Sequence, residues 1–81
     1  MKNKFILESL ASDLKRVAIG KHRGSSKMAD RFLLEAIKRK NEIEMKLVAG
    51  YIKNVLNKLD NNINAEDALM YSTLIQNYTR K

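Results

Sequence analysis

The chain has 81 residues, no cysteine, no proline and three glycines, and a formal net charge of +7. That length bounds it to one small domain, residues 1–81, with a thin core, and the lack of cysteine excludes disulfide frameworks and thiolate metal sites. At 44% hydrophobic and 31% charged residues it reads as globular rather than disordered.

The N-terminus imitates a signal peptide only briefly, because Glu8 interrupts the apolar run Phe5-Ile6-Leu7. The longest uncharged apolar stretch elsewhere, Leu47 to Ile52, is far too short to cross a bilayer. A soluble, cytoplasmic protein is the expectation. The first helix is predicted over about residues 4–19. Ile6, Leu7, Leu10, Ala11, Leu14, Val17 and Ala18 recur at three- and four-residue spacing and share one stripe. Gly20 is the expected stop, and Gly20 to Ser25 a turn, with Ser25 or Ser26 capping the next helix.

That second helix is predicted over about 26–59, with a stripe that shifts along it. Phe32, Leu33, Ala36, Ile37, Ile43 and Leu47 define one face. Val48, Tyr51, Ile52, Val55, Leu56 and Leu59 define another, rotated by about 100°. A heptad drifts only about 20° per repeat, so supercoiling does not explain the shift. A break or kink near Lys38–Glu42 does, and with neither Pro nor Gly there a continuous or kinked helix is expected. Asp60-Asn61-Asn62 reads as a turn. Asn64 then caps a last helix over about 65–79, with Asp67 as its capping-box partner and Ile63 and Ala68 as a staple. Ala68, Tyr71, Leu74, Ile75 and Tyr78 form its expected buried face. The fold class is all-α: a three-helix antiparallel bundle, four helices if the middle one breaks.

Charge is distributed unevenly along this frame. Residues 1–40 hold eleven Lys/Arg against four Asp/Glu, and residues 41–81 hold five of each. Such a field favours polyanions, of which nucleic acid is the commonest met by a soluble protein. The expected nucleic-acid-binding residues are Lys15, Arg16, Lys21, Arg23, Ser25, Lys27, Arg31 and Lys38. The last three cations are four and seven positions apart and share a stripe about 16 Å long. Backbone amides at Gly24, Ser25 and Ser26 are placed to meet a phosphate oxygen at a helix start. No base readout is expected, since no free aromatic interleaves with the cations; DNA and RNA are not distinguished.

The second half suggests assembly. A segment apolar on two sides calls for more partners than two neighbouring helices supply. A homodimer is therefore expected through Tyr51, Ile52, Val55, Leu56, Leu59, Tyr71, Ile75 and Tyr78. No metal, cofactor or small-molecule signature is present, and a non-catalytic protein is expected. A protein–protein adaptor whose charge only solubilises it is the competing class. A peripheral membrane role for the basic first helix has only Phe5 as an anchor. Arg16 and His22 form an Arg-x5-His pair that resembles the short signature of helical HEPN-type ribonucleases, with Val17 where that family usually has a polar residue. The resemblance implies histidine acid–base catalysis of RNA cleavage with the arginine holding the phosphate.

Overall fold

A computed structural model describes residues 2–60 and 63–80, so Asn61 and Asn62 of the predicted turn lie outside the described residues. The element order is α1 (Lys2–His22), α2 (Ser26–Lys40), a 3-10 turn (Met45–Leu47), α3 (Gly50–Asn57) and α4 (Ala65–Thr79). The fold is all-α, with four α-helices and no strand among the described residues. None of these helices is long and apolar enough to cross a membrane.

Helix α1 is the central element, packed against both α2 and α4. Its predicted stripe is buried throughout, with Leu10, Leu14 and Val17 fully so. The helix runs beyond the expected stop at Gly20. It ends one turn later, where Gly24 takes a positive φ of 73°. There the Ser25 amide donates back to the Gly20 carbonyl (2.8 Å) and the Gly24 amide to that of Lys21 (3.2 Å), closing the helix end. Gly20 serves packing instead. A Cβ at Gly20 would stand 2.9 Å from the backbone N and 3.2 Å from the Cα of Ala29. The missing side chain therefore sets how closely α1 and α2 approach. Ser25 caps α2 as expected, its hydroxyl accepting from the Met28 amide.

The continuous middle helix is not formed; α2 ends at Lys40 and α3 starts at Gly50. The physical reason is the shift of the apolar stripe. The break lets Ile43, Val48, Ile52, Val55, Leu56 and Leu59 all reach the core, each burial worth about 1.5–3 kcal/mol. A few helical hydrogen bonds, each worth about 1 kcal/mol net, are a smaller loss. Most are also replaced. The amides of Asn41, Glu42, Ile43, Leu47 and Val48 find turn carbonyls. The Glu44 amide donates to the Asn3 side-chain oxygen, and the Asn3 amide donates to the Glu44 carbonyl (3.1 Å each). The Ala49 amide donates to the Tyr78 hydroxyl (3.2 Å). Leu47, assigned to a buried face by periodicity, is instead exposed.

Asn64 caps α4, accepting from the Asp67 amide (2.7 Å), and both staple residues, Ile63 and Ala68, are buried. With Asn3 holding the connector that Tyr78 also reaches, the end of α4 lies beside the start of α1, so the two run antiparallel. At mid-length the buried Ser72 hydroxyl donates to the Ala11 carbonyl (2.6 Å). Ser72 and Thr79 are buried, whereas Leu74 is partly exposed, so the buried face of α4 is rotated from the predicted one toward α1.

Gly20→Ala gains about 1 kcal/mol of helix propensity but has to displace the Ala29 backbone, and overpacking of that kind costs about 1–3 kcal/mol. A lower urea midpoint is expected for Gly20→Ala, and a much lower one for Gly20→Val. A midpoint raised by the full propensity gain of about 1 kcal/mol for Gly20→Ala would show that the two helices do not meet there.

Candidate nucleic-acid interface

The local electrostatics turn on Asp13, which is only 5% exposed on the α2-facing side of α1. Its carboxylate accepts from Arg39 Nε at 2.8 Å, and the Arg16 guanidinium lies 4.0 Å away. Arg16 also donates to the Ser12 hydroxyl (3.0 Å) and sits 5.4 Å from the centre of the Phe32 ring. Arg16, expected as a free phosphate ligand, is thus held by three neighbours. Neither Asp13 nor Arg39 carries a local sequence signal for this contact. They are 26 positions apart, and only the α1–α2 hairpin brings them together.

The hydrogen bond to Asp13 holds the Arg39 guanidinium above its ordinary pKa, against the opposing effect of burial. For a cation whose folded pKa is raised, the linked stability is complete below the unfolded pKa and is lost only as pH rises through the folded value. That window lies above the ordinary arginine range, so Arg39 stays charged at every pH near neutrality.

The other expected contacts are not neutralised in this way. Among the described residues every salt bridge runs to Asp13, which leaves Lys15, Lys21, Arg23, Lys27, Arg31 and Lys38 without an ion-pair partner. Lys21 is half-buried and the other five are exposed. Lys27, Arg31 and Lys38 fall within about 40° of one another around α2. The residues that face α1 are Ala29, Phe32 and Arg39, on a different side, so the stripe points outward. Leu34, 65% exposed, lies in the same stripe, and the exposed carboxylates Asp30 and Glu35 flank it.

The fold does not gather all the expected residues on one surface. Lys15 sits on the α4 side of α1 and lines a groove there with Lys4 and Arg80. Lys21, half-buried at the end of α1, and Arg23, exposed in the turn, belong to the hairpin end and line no part of that groove. The phosphate cradle expected in the turn is smaller than foreseen. The Gly24 and Ser25 amides are used in closing α1, and the Ser25 hydroxyl in capping α2. The amides of Ser26 and Lys27 remain at the start of α2.

Of the residues expected at a subunit contact, Ile52, Val55, Leu56, Leu59, Tyr71 and Ile75 are buried in the chain's own core. The surplus apolar surface of that segment is satisfied internally once the helix breaks. Tyr51 remains exposed and meets Tyr78 edge-on, with ring centres 5.8 Å apart. Arg16 and His22 are separated by about 9 Å along α1 and about 120° around it, and the guanidinium is directed at Asp13. Among the described residues no cluster of His, Asp or Glu is suited to hold a metal. No protein-family model, curated protein or solved structure matches the chain.

Asp13→Asn removes the charge that both arginines face and leaves its buried site in place. A loss of about 1–3 kcal/mol in urea unfolding is expected, the usual effect of deleting a charged hydrogen-bond partner. A loss below about 0.5 kcal/mol would reduce the Asp13–Arg39 contact to an ordinary surface pair.

Proposed function

We propose that the chain is a cytoplasmic, non-catalytic nucleic-acid-binding protein that contacts phosphates with the hairpin end and the outer face of α2. The single observation that supports this is the set of unpaired cations. Lys21 at the end of α1, Arg23 in the turn and Lys27, Arg31 and Lys38 along α2 have no salt-bridge partner among the described residues. Holding like charges together disfavours the compact state, and a polyanion relieves that repulsion while releasing its own counterions. The start of α2 adds two backbone amides at the positive end of a helix dipole. The outward stripe carries no aromatic side chain to stack on a base, so the contact is with the backbone and tolerant of sequence.

Five phosphate contacts imply that the logarithm of the duplex binding constant falls with that of the salt concentration at a slope of about −4 to −5. Lys27→Ala and Arg31→Ala should each lower the steepness by about one, and Lys58→Ala, in the charge-balanced half, should leave it unchanged. Binding that is absent at low salt, or indifferent to salt, would remove this function.

Self-association belongs to the same proposal in a narrower form. A second copy would meet the exposed Tyr51, Met70 and Leu74 beside Tyr78, and two copies would add avidity for a polyanion. Light scattering at high micromolar concentration should show a dimer that Tyr51→Glu dissociates; a monomeric parent protein would end this part.

A further inference from the structure

The groove between α1 and α4 is a second polar site, on a different side of the molecule from the α2 stripe. It encloses about 580 Å³ and is lined by Lys4, Glu8, Ser12 and Lys15 of α1 and by Gln76 and Arg80 at the end of α4. Its floor is fixed, because the buried Ser72 hydroxyl is tied to the Ala11 carbonyl and the Thr79 hydroxyl to that of Gln76. The floor residues are small, which leaves the space between the helices open.

Three cations therefore face one carboxylate, and their order along the groove is informative. Lys4 and Arg80 share one end, since α4 finishes beside the start of α1. Lys15 stands eleven positions from Lys4, about 16 Å along the helix. Glu8 lies between them. A compact anion reaches one end only, whereas an extended chain of anionic groups reaches both and so gains a second cation contact; Glu8 opposes either ligand and weakens both. None of the three cations has a salt bridge among the described residues, and Gln76 adds amide donors. No aromatic side chain lines the groove, so a nucleobase would find nothing to stack on. We propose that the α1–α4 groove binds an extended phosphate chain, either a free oligophosphate or the backbone of a nucleic-acid strand. The proposal is independent of phosphate contact by α2.

The test is an amide chemical-shift titration of the full chain at low salt with a linear polyphosphate long enough to span both ends of the groove, with orthophosphate, and with a hexathymidylate. Saturable shifts are expected at Ser12, Lys15 and Gln76, tighter for an extended chain than for orthophosphate. If the oligonucleotide alone is the tighter ligand, the source is a strand backbone; if the polyphosphate is too, a free phosphate chain suffices. Lys15→Gln and Arg80→Gln should each weaken binding by roughly two- to fivefold, the range of an exposed charge contact. Glu8→Gln should strengthen it by a similar factor. The double variant Lys27→Gln/Arg31→Gln should leave groove binding intact, which separates this site from the α2 stripe. Shifts confined to residues 21–31, no saturable shifts at all, or a Glu8→Gln variant that binds no better would each overturn the proposal.

Discussion

The two long neighbours α2 and α4 take their positions from α1, which has to bury Leu7, Leu10, Leu14 and Val17 along one side over its whole length. No single neighbour covers so wide a stripe. Helix α2 packs on one flank, where the absence of a side chain at Gly20 admits the Ala29 backbone. Helix α4 packs on the other, where Ser72 meets the Ala11 carbonyl. Segment 41–59 closes what is left by breaking, so that Ile43, Val48, Ile52 and Leu56 enter the same core. The helix break follows from the shifted apolar stripe of that segment, since a straight continuation of α2 would leave part of it outside the core.

The same arrangement distributes the charge. Asp13 is drawn toward α2, and it fixes Arg39 and Arg16 there. The remaining cations of the first half are left on outward surfaces and divided by the fold. Lys27, Arg31 and Lys38 point away from α1 on one side, and Lys15 joins Lys4 and Arg80 in the α4 groove on the other. A net charge that looks like one basic surface in the sequence becomes two separate tracks.

Much of the fold was legible because local chemistry wrote it. The α1 stripe, the Ser25 and Asn64 caps and the Ile63–Ala68 staple all follow from spacing within a few residues. The roughly 100° shift of the middle stripe was visible too, but its resolution was not. The absence of Pro or Gly at the break argues for continuity, whereas the connector is held by distant partners, Asn3 and Tyr78. The Asp13–Arg39 contact and the packing role of Gly20 are likewise long-range and leave no local signal. Gly20 looked like a helix stop by residue type; the left-handed position belongs to Gly24. In the candidate site, the outward stripe of Lys27, Arg31 and Lys38 is readable from spacing alone, whereas the pairing of Arg16 and the half-burial of Lys21 are not. Which of them share a surface depends on helix rotation and on the α4 neighbour, neither of which composition encodes.

The most direct test of the proposed phosphate contact is to map it. An amide chemical-shift titration of the chain with a generic short DNA duplex at low salt should move the signals of Lys21, Arg23, Ser26, Lys27, Arg31 and Lys38, and these shifts should collapse as salt is raised. Shifts that fall instead on α3 and the Tyr51–Tyr78 surface, or no shifts at millimolar duplex, would contradict the account.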